Sequence, residues 1–248
     1  MTSSNPLHTI IGTPFSTFTR TITLGLQYKG LHYNQIAAVP RSYVAAESHP
    51  FGYIPTLIIH KIDGIDIKLS ESQAIVRYLD RIAPEPTLQL VEGSNQLLPE
   101  KMWEFVSLTA SYGKWQSVRI FVEYINMTFL TGFPIVEGGV VKPRVQALDE
   151  GKLSDKEIRE KIKAGVVKLK EYLTLVESLM VTSTEGYLFG EKPTWADFFL
   201  FPLLADLRTV PEWEVVSERL IVWMKKMDDL PAVKETRAGT LSVGARPA

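Results

Sequence analysis

The order of strand and helix patterns in the first part of the chain is the feature that most restricts its fold. Residues 8–11 form a short β-prone run, and a helical spacing then joins Phe18, Ile22, Leu26 and Lys29. Tyr33 to Val39 is predicted to be a second strand, because Pro40 follows it and a proline cannot donate to a central ladder. This part of the sequence therefore predicts a parallel βαβ unit.

An antiparallel pair of strands and a helix are predicted next. The apolar run Thr56 to Ile59 is followed by Asp63-Gly64, a two-residue hairpin signal, and by alternation from Ile65 to Leu69. Ser70-Glu71-Ser72-Gln73 then has the Ser-x-x-Gln form of a capping box, which predicts a helix that extends to about Ala83. A βαβ unit joined to a ββα unit is the layout of a thioredoxin-like domain.

The remainder of the chain carries helical patterns only. We predict an α+β thioredoxin-like domain (βαβ-ββα) at residues 1–86, a linker at residues 87–98 and an all-α helical domain at residues 99–248. Helices are expected from about Met102 to Met127, from the capping box Ser154 to Glu157 as far as Met180, from the capping box Thr194 to Asp197 through Leu207, and at Leu220 to Met227.

One long connection is predicted between the first two helices of the second domain. Thr131 to Leu153 contains several glycines and prolines and is longer than most connections in a compact bundle. It is expected to be either disordered or a cover over a site, and we favour the cover.

The absence of cysteine limits the chemistry that the chain can perform. Without a cysteine there is no disulfide, no thiolate metal site and no thiol nucleophile, so any thiol must arrive with a ligand. The four histidines show no metal-binding spacing, and we predict no metal.

Charge and hydropathy exclude further classes of partner. The net charge is -1 and no basic stripe is present, so we predict that the protein does not bind nucleic acid. No apolar run has the length of a membrane span, and the N-terminus lacks the regions of a signal peptide. We expect a cytoplasmic protein that has no membrane partner.

A cluster of hydroxyl residues lies between the first strand and the first helix. Thr13, Ser16, Thr17 and Thr19 stand close together there, whereas a helix start needs only one capping hydroxyl. Either the cluster is incidental or it presents a hydroxyl to a ligand at the helix N-terminus.

Three motifs resemble those of cytosolic glutathione transferases. Leu69 to Leu79 resembles the family's Glu-Ser-x-Ala-Ile-x-x-Tyr-Leu segment. Pro50 to Pro55 resembles its Asn-Pro-x-Gly-x-Val-Pro loop, whose last proline is cis in the family, and Thr194 to Asp197 resembles the capping box of its second domain. Three weak motifs in the right order make the resemblance specific.

The hydroxyl cluster is most similar to that of serine-type, phi-like members, which carry Gly-x-Pro-x-Ser-Thr-x-Thr-Arg after the first strand. The resemblance implies that Ser16 donates a hydrogen bond to the sulfur of glutathione and stabilises its thiolate. Thr17 and Thr19 remain alternatives, and Ser16 as a simple helix cap is the structural alternative.

The resemblance also implies how glutathione is held. Glu71 and Ser72 would bind its γ-glutamyl end, Glu71 through the ammonium group, although both also suit the first turn of any helix. The Ile54 backbone, before Pro55, would pair with the cysteinyl segment as an added strand.

The chain departs from the family around this loop. His49 stands where the family usually has asparagine, and Tyr53 where it has glutamine or lysine. The segment between Val39 and His49 lacks the family's basic pair for the glycine carboxylate, so Arg41 or His49 would substitute. His49 is otherwise expected to be a surface loop residue.

A pocket for a hydrophobic substrate is expected between the two domains. Tyr112, Trp115 and Arg119 share a helical face by i, i+3, i+7 spacing, and the corresponding helix of the family faces the electrophile. Phe15 would line the same cleft. The structural alternative places these aromatic residues, like Trp103, in the core of the bundle.

The resemblance implies a homodimeric enzyme that adds the thiolate of glutathione to a hydrophobic electrophile. If the adduct expels glutathione after rotation, the net reaction is cis-trans isomerisation. The loop before Pro55 and the long connection are most similar to divergent fungal members, some of which modify secondary metabolites such as polyketide enones. A non-catalytic binding or regulatory module is the rival function, and a glutathione peroxidase is a third.

Overall fold

The first part of the chain folds around a mixed four-stranded sheet. The computed structural model of the protein describes residues 7–61, 64–90, 99–111, 131–181 and 186–246. The strand order is β2-β1-β3-β4; β1 pairs with β2 in parallel, and β3 is antiparallel to both β1 and β4. The strands are β1 (His8–Ile11), β2 (Tyr33–Ile36), β3 (Thr56–Ile59) and β4 (Ile67–Ser70). The predicted βαβ-ββα topology is confirmed.

Helices pack on this sheet, and the described chain after β4 is mostly helical. The helices are α1 (Thr17–Tyr28), α2 (Tyr43–Ser48), α3 (Ser72–Ile82), α4 (Pro99–Ala110), α5 (Lys142–Glu150), α6 (Asp155–Leu179), α7 (Trp195–Leu207), α8 (Glu218–Asp228) and α9 (Pro231–Thr236). A π-helix spans Pro134–Val141, and short 3-10 helices span Pro211–Val215 and Leu241–Val243. None of the helices that the structure describes is both long and apolar enough to cross a membrane.

The segment between β2 and β3 differs from its prediction. β2 ends at Ile36 and not at Val39, because β1 ends opposite it at Ile11 and offers no further partner. After it, Ser42 accepts a hydrogen bond from the Ala45 N–H at 3.3 Å and begins α2, which we did not predict.

The predicted capping box at Ser70 is wrong. Ser70 is the last residue of β4, where it pairs with Thr56 of β3. Glu71 takes the N-cap position of α3 with φ 69° and makes no side-chain capping bond. Ser70 therefore belongs to β4, although the capping-box pattern predicts it as the N-cap of the helix. The predicted hairpin of β3 and β4 is present, but Asp63 lies outside the described residues.

The thioredoxin-like part packs directly on α7. A Cβ atom at Gly25 of α1 would overlap the ring of Trp195, so glycine is required for this close approach. Trp195 also donates its Nε1–H to Asp80 of α3 at 2.6 Å. The capping box of Thr194 and Asp197 that begins α7 is confirmed, as is that of Ser154 and Glu157.

The long connection predicted between residues 131 and 153 is helical and not an irregular or disordered loop. The π-helix and α5 occupy it, and Ile135, Val136 and Val140 are buried. A Cβ atom at Gly165 of α6 would overlap the carbonyl oxygen of Gly139, so the glycines allow the two backbones to touch. Burial of the apolar residues against α6 explains why a Gly- and Pro-containing stretch is ordered here. The first helix of this domain is described as far as Ala110.

Candidate active site

Three segments of the candidate site meet at one end of the sheet. Ile11, the last residue of β1, pairs with Thr56, the first residue of β3, and Thr56 pairs with Ser70, the last residue of β4. The loop after β1, the loop before β3 and the start of α3 are therefore neighbours. These three segments contain the predicted residues Ser16, Ile54, Pro55, Glu71 and Ser72.

Ser16 occupies the N-cap of α1. Its backbone is extended, and its Oγ accepts the N–H of Thr19 at 3.2 Å. The side chain is partly exposed, at the end of the helix where the peptide dipoles favour negative charge. A hydroxyl that accepts one hydrogen bond still has its own hydrogen to donate. The capping role and a role in binding an anion are therefore compatible.

The two alternative hydroxyls point away from solvent. Thr17 and Thr19 are both buried, and their hydroxyl oxygens have no hydrogen-bond partner among the described residues. The Thr19 hydroxyl lies against Gly12, where a Cβ atom would overlap it. Of these three hydroxyls, Ser16 is the one that a molecule in solvent reaches.

A tight turn places Phe15 beside Ser16. The Ser16 N–H donates to the Thr13 carbonyl at 3.0 Å, and Phe15 is partly exposed. On the other side of the turn a Cβ atom at Gly239 would lie 3.3 Å from Cγ of Pro14. The C-terminal segment of the chain therefore packs against the loop that carries Ser16.

The loop before β3 has the expected backbone. The peptide bond between Ile54 and Pro55 is cis. Ile54 is partly buried and precedes the first ladder pair of β3, and its backbone N–H and carbonyl make no hydrogen bond with the described residues. These groups are open to an extended peptide.

The start of α3 offers a second anchor. Ser72 is the first helical residue, so its N–H has no acceptor within the helix. Glu71 before it adopts a positive φ, which non-glycine residues rarely do, and its side chain is 79% exposed. The unusual backbone of Glu71 places an exposed carboxylate next to a helix N-terminus.

His49 is buried, and its prediction as a surface loop residue is wrong. It ends α2, and its Nδ1 accepts the N–H of Phe51 at 3.0 Å. Since Nδ1 is an acceptor, the ring proton is on Nε2, which lies 3.9 Å from Oε1 of Glu71. The rings of Phe51 and Tyr53 pack on the imidazole at 6.2 and 5.6 Å between centroids. The His49 ring is therefore held by the loop before β3 and faces the start of α3.

Arg41 and Tyr53 lie on the outer side of the same loop. Both side chains are exposed. The N–H of Arg41, which has φ 66°, donates to the Gly52 carbonyl at 2.6 Å, so its backbone is fixed to the loop. Arg41 is thus a cation on the surface beside Pro50 to Pro55.

Part of the predicted substrate pocket falls outside the described residues. Tyr112, Trp115 and Arg119 belong to this part. On the described side, Phe18 of α1 packs on Phe133 with 4.7 Å between ring centroids. The sequence does not predict this pair, because Phe133 lies in the segment whose glycines and prolines predict an irregular connection. No group of three or more potential metal ligands occurs among the described residues.

Two family models match the two parts of the chain separately. The family model of the glutathione S-transferase N-terminal domain matches residues 10–87, and that of the C-terminal domain matches residues 156–234. The chain belongs to the glutathione S-transferase family. No curated protein matches the chain in sequence.

Several solved structures share the fold of this chain over almost its whole length. Glutathione transferase F7 from Populus trichocarpa is 24% identical, with 92% of this chain and 97% of that chain covered and a TM-score of 0.65. The theta class enzyme from Xanthomonas axonopodis pv. citri, solved with glutathione bound, is 18% identical, with 94% and 98% covered and a TM-score of 0.64. Maleylacetoacetate isomerase from Anaeromyxobacter dehalogenans is 18% identical, with 94% and 95% covered and a TM-score of 0.58.

Proposed function

We propose that this glutathione S-transferase adds the thiolate of glutathione to a hydrophobic electrophile, an activated alkene or a polyketide-like enone. The observation that carries the proposal is the meeting of three segments at one end of the sheet, with the accessible hydroxyl of Ser16 at the N-terminus of α1. A thiol becomes a good nucleophile only when it is ionised. The Ser16 O–H and the positive end of α1 would both stabilise the thiolate.

The remaining anchors suit the charged ends of glutathione. The Ser72 N–H, at the start of α3, would bind the γ-glutamyl carboxylate, and the exposed Glu71 would bind the ammonium group. The free backbone of Ile54, before Pro55, would pair with the cysteinyl residue.

The glycine carboxylate is assigned to Arg41. This side chain is exposed, whereas His49 is buried and its Nε2 faces Glu71. We therefore give His49 the role of positioning Glu71, and Tyr53 the role of covering the imidazole.

The proposed chemistry conserves atoms and charge. The sulfur forms a bond to the β-carbon of the enone, the π electrons move to the carbonyl oxygen, and the thiol proton ends on the α-carbon. If the adduct instead rotates about the former double bond and expels the thiolate, the carbon–sulfur bond breaks again and the substrate leaves as its other geometric isomer. Phe15 would line the electrophile pocket, together with Tyr112, Trp115 and Arg119 by resemblance.

Conjugation and isomerisation are separated by following one substrate. The purified protein is incubated with reduced glutathione and the pure cis form of an enone, and adduct, cis form and trans form are quantified by chromatography. Accumulation of adduct supports the transferase, and a trans product with unchanged glutathione supports the isomerase. If neither product forms faster than without protein, although glutathione binds, a binding module is the better description. The homodimer, the cytoplasmic location and the role in secondary metabolism stay predictions.

A further inference from the structure

Two buried carboxyl groups and one arginine meet behind the first turn of α1. Arg20 of α1 donates to the Pro202 carbonyl at 3.1 Å and forms an ion pair with Asp206 of α7. Glu137 of the π-helix is 4% exposed and lies within hydrogen-bonding reach of Asp206. The three side chains join the thioredoxin-like part, the central helix of the second domain and the π-helix. A π-helix is rare and frequently lies at a functional site.

The cluster holds more acidic groups than its arginine can neutralise. Asp206 faces Glu137 from α7, Arg20 faces it from α1, and Lys142 acts on it from α5. The ammonium group of Lys142 lies over the ring of Phe133, 5.2 Å from its centroid. The α6 helix meets the π-helix through Gly165. Two buried carboxylates that lie close together repel each other, so one of them keeps its proton.

The proton belongs to Glu137. Arg20 contacts Asp206 directly and stabilises its charged form, whereas no arginine of the described residues forms an ion pair with Glu137. Burial, together with the charge of Asp206, raises the pKa of Glu137 to about 8. The Glu137 hydroxyl then donates to the Asp206 carboxylate, which completes a chain from the π-helix to α1.

This series of contacts, from Glu137 through Asp206 to Arg20, ends at Ser16. The backbone N–H of Arg20 donates to the Ser16 carbonyl at 2.9 Å, one helical turn away. In the same turn Phe18 packs on Phe133, which lies directly before the π-helix. The first turn of α1 is therefore held to the π-helix by both a polar and an aromatic contact.

We propose that Glu137, Asp206 and Arg20 form a proton-dependent clasp that positions the first turn of α1, and with it Ser16. When Glu137 loses its proton, two buried negative charges face one guanidinium, and the π-helix separates from α1. A cavity of about 30 Å³ that is lined by Arg20 and Pro202 has room for water on the Arg20 side of the cluster. The clasp itself does not depend on glutathione, whereas its effect on catalysis rests on the proposed function.

Hydrogen exchange without glutathione tests the clasp directly. Amide protection of residues 17–24 is measured in the wild type and in Glu137→Gln between about pH 6.5 and 9.5, and it is corrected for the intrinsic pH dependence of exchange. We expect the protection to fall about 10-fold or more in the wild type above the pKa of Glu137. Each pH unit beyond that pKa lowers the ratio of protonated to ionised Glu137 10-fold, and only the protonated form closes the clasp. In Glu137→Gln we expect it to change less than about 2-fold, because the amide keeps the hydrogen bond and has no proton to lose.

The exposed Glu160→Gln is the matched control, because it removes one charge from the surface of α6 and should behave like the wild type. A wild-type protection that does not change over this range overturns the proposal, and this result needs no variant. An equal fall in wild type and in Glu137→Gln overturns it as well. Hydrogen exchange is measured without glutathione, so these outcomes test the clasp even if the proposed enzyme activity is absent.

Discussion

The Nε2 atom of His49 lies 3.9 Å from Oε1 of Glu71, across the gap between the loop before β3 and the start of α3. His49 is buried, with its Nδ1 occupied by the Phe51 N–H, whereas the Glu71 side chain is mostly exposed. A buried ring nitrogen therefore faces an exposed carboxylate. In the proposed function this pair orients the group that binds the ammonium of glutathione.

The first prediction concerns the coupling of His49 and Glu71. Glu71→Gln should raise the dissociation constant of glutathione about 10-fold or more, because a charge-assisted hydrogen bond is lost. His49→Ala should have a smaller effect in the wild type and almost none in Glu71→Gln. Calorimetric titration of both variants and the double variant measures this coupling. Strictly additive effects would show that His49 does not act through Glu71.

The second prediction separates the two roles of Ser16. Ser16→Ala should lower turnover about 10-fold or more and also reduce stability by about 1 kcal/mol, because both the hydroxyl donor and the helix cap are lost. Ser16→Asp keeps a capping oxygen but has no hydroxyl. This variant should therefore be as stable as the wild type but catalytically inactive. Ser16→Thr keeps both and should retain activity. Full activity in Ser16→Asp would exclude the hydroxyl as the activating group.

The third prediction is a pH dependence of stability that is caused by Glu137. Its pKa is raised to about 8 in the folded protein, whereas an unfolded glutamate titrates near about 4.3. The folded protein therefore binds more protons between these values, and its free energy of unfolding falls as the pH rises through them.

Glu137→Gln should lack this dependence. Relative to the wild type, its free energy of unfolding should increase from about pH 5 to pH 8 by at least about 1.4 kcal/mol, the equivalent of one pKa unit. Urea denaturation at several pH values measures the difference, with the exposed Glu160→Gln as control. A constant difference between the two proteins would contradict the assigned protonation.

The fourth prediction concerns the crossing of α6 and the π-helix. Gly165→Ala should destabilise the protein by about 1–3 kcal/mol, because the new methyl group overlaps the Gly139 carbonyl. Gly138→Ala is the matched control. Gly138 directly precedes Gly139 in the π-helix, is exposed, and has no atom within 4 Å of an added Cβ. It should be neutral or stabilising, as alanine favours helix. Equal melting temperatures of the two variants would contradict the described crossing.

Local patterns predicted the secondary structure where one signal was dominant. The alternation and order of the strands gave the thioredoxin-like topology, and the capping box of Thr194 and Asp197 marked the start of α7 correctly. The same kind of signal failed at Ser70, because pairing with Thr56 extended the strand over a residue that also suited a helix cap.

Tertiary contacts decided what local patterns could not. Gly139 suggests a loop in the sequence, but it lies where the backbone of α6 touches the π-helix at Gly165. The burial of His49 and the meeting of Glu137 with Asp206 depend on residues that are far apart in the chain. Ser16, Glu71 and Ser72 were found by their resemblance to family motifs, and the register of β1, β3 and β4 shows that their segments are neighbours.

The most direct test of the central claim is calorimetric titration of the wild type with reduced glutathione, paired with an ultraviolet difference spectrum. We predict binding in the micromolar to millimolar range and a thiolate absorption band that disappears in Ser16→Ala and Ser16→Asp, although both variants still bind the tripeptide. Absence of binding at millimolar glutathione, or a thiolate band that is unchanged in Ser16→Asp, would contradict the assignment of Ser16 as the group that activates glutathione.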